Sequence, residues 1–281
     1  MNRGALLAGL SCSALAGCGV ARGAARVAEI AHGCVDVTVP AAGNVRVTRG
    51  VVPTHYVAVP VDFVLVVPVS PQAVDAVAYV LPGRGSTAGA AQVIGLDGFL
   101  GAYLRAGGRP FALAFLDAGE SYFHPRVSGE DRLAVATIDL PAVVRTTLGV
   151  TKLREALMGQ SMGGYGALLA AEREPQRFRA VGVAGPAIFP SYDDERHSVG
   201  DAFDSAADYA RYDVTAHARA LLGRPVRIWC GRRDPFLPGV RAFARACPTA
   251  DLRVEPGCHD EGFWRASAAS LLSFVGSHLA T

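Results

Sequence analysis

Apolar positions along the chain change their period several times, and each change marks a new kind of element. From Cys34 onward Val35, Val37 and Val39 alternate with polar residues, Val45, Val47 and Val51 do the same, and the runs Tyr56–Val59 and Phe63–Val67 follow. This period of two, broken by Pro40, Gly43, Gly50, Pro53, Pro60 and Pro68, predicts an antiparallel edge. Further on, Val74–Leu81, Phe111–Leu116, Ala156–Met158, Ala180–Ala184, Val226–Cys230 and Leu252–Glu255 read as strands. Between and after them Leu96–Arg105, part of Leu133–Leu148, Tyr165–Ala171 and Trp264–Leu279 read as helices, with Pro141 tolerable only at a first turn or a kink. Strands alternating with helices predict an α/β fold, with a mostly parallel central sheet, helices on both faces and the antiparallel edge at its N-terminal side. Ser191–Tyr212, polar, acidic and aromatic without a clean period, is expected to be an insertion or cap over the site.

The first residues carry a different pattern. Asn2 and Arg3 precede an apolar stretch, Gly4 to Ala14, and then Leu15-Ala16-Gly17-Cys18. This is the order of a secretory signal, too short to stay as a membrane span, and L-A-G-C resembles the bacterial lipobox, which makes Cys18 the expected lipid-carrying residue. The expected organisation is a signal peptide over residues 1–17, a small-residue tether over 18–33 and one domain over 34–281, exported to the cell envelope and lipid-anchored, or secreted. At 281 residues and 51% hydrophobic content the chain can bury a large single core. A formal charge of +2, arising from scattered arginines rather than basic runs, gives no reason to expect a nucleic-acid partner. Export bears on Cys34, Cys230, Cys247 and Cys258, since disulfides persist outside the cytoplasm. Cys230 lies in an apolar run and is expected to be a buried free thiol, whereas Cys247–Cys258 is the favoured bridge, tying a helix end to the loop that holds His259. No Cys and His spacing suits zinc, so neither a metal nor another cofactor is expected.

The candidate chemistry centres on Gly159-Gln160-Ser161-Met162-Gly163, set between a predicted strand and a predicted helix. In that context G-x-S-x-G places the serine on a sharp turn with its hydroxyl above the sheet edge, and the N–H of Met162, at the helix start, is free for a developing oxyanion. A serine hydroxyl requires a base, and the base an orienting carboxylate. His259 follows the last strand in Pro256-Gly257-Cys258-His259-Asp260, and Asp234 follows the strand ending at Cys230, so both are expected over the serine's edge of the sheet. Asp251 and Asp260 are the competing acids and rank below Asp234. Arg84, in the loop after Val74–Leu81, is the candidate second oxyanion donor through its N–H. Its guanidinium is also a candidate holder of an acidic or hydroxylated substrate. Asp117, Glu120, Tyr122 and His124 are expected to serve structural hydrogen bonding.

Four stretches together carry a family resemblance: G-Q-S-M-G-G-Y-G-A-L at 159–168, S-Y-F-H-P-R at 121–126, R-D-P-F-L at 233–237 and G-C-H-D-E-G-F-W at 257–264. They resemble the esterase D and antigen 85 branch of the α/β-hydrolases, over roughly residues 60–279. The resemblance implies an acyl-serine intermediate, with Ser161, Asp234 and His259 at the family's triad positions, and a small-molecule or lipid acyl ester as substrate. It leaves three readings open: a carboxylesterase or thioesterase, an acyltransferase that moves the acyl group to a sugar hydroxyl, and a non-catalytic envelope lipoprotein on the same fold.

Overall fold

The strand segments pair into a single eight-stranded sheet in a computed structural model that describes residues 33–70, 73–89 and 94–281. The predicted signal peptide, Cys18 and nearly all of the tether lie outside the described residues. In chain order the strands are β1 (Val45–Val51), β2 (Asp62–Pro68), β3 (Ala76–Leu81), β4 (Ala112–Leu116), β5 (Arg154–Gln160), β6 (Phe178–Ala184), β7 (Val226–Gly231) and β8 (Asp251–Glu255). They lie side by side as β1-β2-β4-β3-β5-β6-β7-β8; β1 and β2 pair antiparallel with their neighbours, and all the later pairs are parallel. The main helices are α1 (Leu96–Arg105), α2 (Leu140–Leu148), α3 (Met162–Arg173), α4 (Tyr192–Ser198), α5 (Ala206–Tyr212), α6 (Val214–His217), α7 (Leu237–Ala246) and α8 (Glu261–Leu279).

Because side chains alternate along a strand, β3 feeds two cores. Val77, Tyr79 and Leu81 join α2 and α3 on one face, while Ala76, Ala78 and Val80 join α1 and α8 on the other. A strand covered on both sides reads as the unbroken apolar run seen at Val77–Leu81. Proline explains the irregular approach to α2. Pro141 has no N–H to give the carbonyl of Thr137, the chain over Val135–Asp139 widens into a π-helical turn, and the Arg177 guanidinium donates to that carbonyl instead, at 2.7 Å. Among the described residues no helix is long and apolar enough to cross a membrane.

Two segments predicted as strands are not strands. Val35–Val39 is an extended arm without a ladder partner, and Tyr56–Val59 is a series of bends. The arm satisfies itself differently: it lies along α1 and the start of α8, so closely that a Cβ on Gly98 would strike the carbonyl of Pro40 and one on Gly262 that of Val35. Asp36 pairs with Arg265 of α8 at 3.0 Å. The cysteine expectation is corrected here too. Cys258 is bridged to Cys34 at the start of this arm, across 224 residues of sequence with a Cα separation of 5.0 Å. Cys247 is a buried free thiol at the end of α7, its sulfur 3.7 Å from Thr249 Oγ1, and Cys230 is likewise free and buried.

Glu172, near the end of α3, is buried, and neither of its carboxyl oxygens has a hydrogen-bond partner among the described residues. Burial first, and the charge of Asp213 second, push its carboxyl up from 4.5 to about 9. Between those two values the unfolded chain has released this proton and the folded chain has not, so stability falls as pH rises through that window and is undiminished below it. At about 1.4 kcal/mol per unit, the handicap reaches roughly 3 kcal/mol near pH 7. Glu172→Gln removes it: the variant's Tm should exceed the wild type's by about 5–10 °C at pH 8 and converge with it near pH 4.5. Parallel Tm curves over that range would contradict the assignment.

Candidate active site

Ser161 sits between the end of β5 and the first turn of α3 with φ 54° and ψ −126°, a conformation that side chains rarely adopt. Its flanking glycines make the turn possible. A Cβ on Gly159 would meet the carbonyl of Gly163, and one on Gly163 would meet that of Leu81 at the end of β3. The Ser161 N–H donates to Ala184 O of β6, and its own carbonyl accepts from the N–H groups of Tyr165 and Ala187. The serine's backbone is therefore held from three directions, which lets the strained geometry persist.

His259 stands in the turn between β8 and α8, with Nε2 2.9 Å from Ser161 Oγ and Nδ1 2.8 Å from Asp234 Oδ2. Asp234 follows β7 and is buried, with its second oxygen accepting from the Phe236 N–H at 2.8 Å. Three side chains distant in sequence thus form one hydrogen-bonded line, from hydroxyl to imidazole to carboxylate. Phe236 and Trp264 flank the imidazole, with ring centroids 5.0 and 5.7 Å away. The competing acids are occupied elsewhere. Asp251 pairs with Arg227 and Arg253, which hold its carboxyl below the usual range, and Asp260 caps α8 by accepting from Phe263 N–H.

A Cβ placed on Gly83 would lie 3.5 Å from Ser161 Cβ, so the loop after β3 runs directly against Ser161. The backbone N–H of Arg84 has no acceptor among the described residues, and that of Met162, opening α3, has none within its helix. The Arg84 guanidinium donates to Glu120 at 3.1 Å and to Asp201 at 2.8 Å. With two carboxylates on it, this side chain serves as a tie between the β3 loop and the segment between α4 and α5. Asp117 accepts from the N–H groups of Ala88 and Asp62. His124 is fully buried, its ring stacked between Phe203 and Tyr212 and its Nε2 2.8 Å from Ala202 O. These residues and Glu120 brace the loops around the site, while Tyr122 packs in the same aromatic cluster through Tyr165, Phe189 and Phe203.

Two contributors were absent from the sequence reading. Cys230, at the end of β7, places its thiol in hydrogen-bond contact with Asp234, and burial followed by that carboxylate's charge pushes the thiol's pKa up, keeping it a neutral donor. Gly185, at φ 52°, makes room for the acid: a Cβ there would come within 2.6 Å of Asp234 Oδ2. The glycine after a strand was visible in the sequence; its contact with a residue 49 positions on was not. Cys34, Cys258 and Asp260 are the one group of metal-ligand types clustered closely among the described residues, and there both sulfurs are consumed by the bridge.

Comparison with known proteins follows the same lines. Residues 130–267 match the family profile described as Esterase. The S-formylglutathione hydrolase of Paracoccus denitrificans is 34% identical over 125 residues, 43% of this chain and 44% of that one. The mouse S-formylglutathione hydrolase is 30% identical over 156 residues, 51% of this chain and 53% of its own. The chain thus spans about half the length of the curated relatives it matches. A solved structure of a ferulic acid esterase superposes with a TM-score of 0.70 over 84% of this chain and 99% of the other, at 18% identity, which speaks to the fold alone. The matched segment, just under half of the chain, holds Ser161, Asp234 and His259 in order on this sheet, so the chain has the α/β-hydrolase fold and is similar over that segment to the esterase D and antigen 85-like esterases.

Proposed function

We propose that the chain is a serine hydrolase of the carboxylesterase or thioesterase type, with Ser161 as nucleophile, His259 as base and then acid, and Asp234 as the group that fixes the imidazole's tautomer. The observation that carries this is the continuous line of hydrogen bonds at 2.9 and 2.8 Å through His259. Asp234 accepts Nδ1–H, which leaves Nε2 unprotonated and able to take the proton of Ser161 as Oγ attacks the acyl carbonyl. The tetrahedral oxyanion is received by the N–H groups of Met162 and Arg84. His259 passes the proton to the departing alcohol or thiol, leaving an acyl-serine; water repeats the sequence and releases the acid.

The esterase family match and the relatives named for S-formylglutathione support small acyl esters and thioesters as the substrate class. A panel of p-nitrophenyl esters and acyl thioesters of graded chain length tests it. Turnover of short-chain members of both series, with an initial burst of alcohol or thiol, is the expected result; no turnover of any member would contradict the reading. Adding trehalose should leave the product as free acid, whereas an acylated sugar would favour the transferase.

We propose further that the protein works outside the cytoplasm, on a lipid anchor at Cys18 or, without one, secreted. The order of charged, apolar and L-A-G-C residues at the N-terminus supports it, as does the Cys34–Cys258 bridge, a bond that persists in oxidising compartments. Metabolic labelling with an alkyne fatty acid should mark the full chain and fail on Cys18→Ala; equal labelling of both would contradict the anchor.

A further inference from the structure

We propose that the Cys34–Cys258 disulfide is a positioning device for the catalytic base, so that turnover depends on the oxidised state of this pair. The proposal rests on reading Ser161, His259 and Asp234 as the triad. Cys258 immediately precedes His259, and no hydrogen bond ties the peptide N–H or C=O of either residue among the described residues. The nearest backbone anchors lie on either side: Gly257 O accepts from Arg233 N–H, and Asp260 O accepts from Trp264 N–H. Asp234 holds the ring at Nδ1, but a main chain without hydrogen bonds at this position leaves the base of the side chain less firmly set than the fraction of an ångström that proton transfer demands.

The bridge supplies the missing hold from outside the loop. Cys34 begins the extended arm, and the arm is seated on α8 by the Asp36–Arg265 pair at 3.0 Å and by the close passage of Val35 over Gly262. Cys258 is therefore fastened to the same helix that starts just beyond His259, so the turn is clamped at both ends. The contacts on the ring itself, the Asp234 hydrogen bond at 2.8 Å with Phe236 at 5.0 Å and Trp264 at 5.7 Å, set its orientation but do not hold the 258–259 peptide that carries it. Sliding of the 258–259 peptide would lengthen the hydrogen bond to Ser161, and a displacement of about 1 Å at such a site lowers rate by up to about 100-fold.

The test uses the full chain as Cys34→Ser and Cys34→Ser/Cys258→Ser, with Asp36→Asn as the control that loosens the arm and keeps the bridge. Steady-state kinetics on a p-nitrophenyl ester and the rate of fluorophosphonate labelling are read beside circular dichroism and Tm. Both bridge-less variants are expected to stay folded, with kcat and labelling rate lowered 10- to 100-fold and KM within about twofold, whereas Asp36→Asn, whose arm is still seated by Val35 over Gly262 and still bridged, should lose only about two- to fivefold in kcat. Dithiothreitol should reproduce the loss in wild type: it gives two electrons and two protons to the S–S bond, leaving two thiols and its own cyclic disulfide, and re-oxidation should restore activity. Folded bridge-less variants that turn over and label as fast as wild type would overturn the proposal while leaving the triad intact. An equal loss in Asp36→Asn would assign the effect to arm packing and overturn it as well. Failure of wild-type Ser161 to label at all would instead remove the triad reading, and the proposal with it.

Discussion

Ser161→Ala should abolish ester turnover, lowering kcat by roughly 10⁵-fold or more, with circular dichroism and Tm close to wild type. The loss is large because no second hydroxyl stands in line with His259 Nε2: the hydrogen-bond partner of that nitrogen is Ser161 Oγ alone among the described residues. Folding should survive, since the contacts that hold the turn are main-chain ones, from Ser161 N–H to Ala184 and from Tyr165 and Ala187 N–H to the Ser161 carbonyl. Alanine at φ 54° keeps the strain already present without adding to it. Residual activity of a few per cent in rigorously wild-type-free protein would mean that another group attacks the ester.

Asp234→Asn is the second large effect, a fall in kcat of about 10⁴-fold with KM little changed. The carboxamide has one oxygen and one NH2. Its oxygen is drawn to the position that accepts from Phe236 N–H, which leaves the NH2 facing His259 Nδ1. The imidazole must then accept at Nδ1 and carry its proton on Nε2, the tautomer that cannot take the proton of Ser161. Asp251→Asn and Asp260→Asn, by contrast, remove carboxylates committed to Arg227 and Arg253 and to the α8 cap, and should leave kcat within a few-fold. A mild Asp234→Asn alongside a severe loss in either of the others would reassign the acid.

How much of this was legible before the structure depends on whether the information was local. The turn at Ser161 was, because Gly159, Ser161 and Gly163 lie within five residues and the strand and helix flank them directly. Asp234 and His259 could be placed because the carboxyl ends of parallel strands share one edge, so position after a strand substitutes for knowledge of contact. The Cys34–Cys258 bridge could not, since its partners are 224 residues apart and no periodicity reports which thiols meet. Val35–Val39 misled for a related reason: alternation records that one face is covered, and here the cover is two helices with glycines at the contact rather than a neighbouring strand. The tie from Arg84 to Asp201, like the contact of Cys230 with Asp234, is a tertiary fact with no local signature.

The central claim is that the Ser161 hydroxyl is activated in the folded protein by His259. Intact-protein and peptide mass spectrometry after brief exposure to a fluorophosphonate tests it most directly, using wild type, Ser161→Ala and His259→Ala. The account predicts one phosphonyl group on Ser161 in wild type and essentially none in either variant within the same exposure. A label on a different residue, or equal labelling of Ser161 without His259, would contradict it.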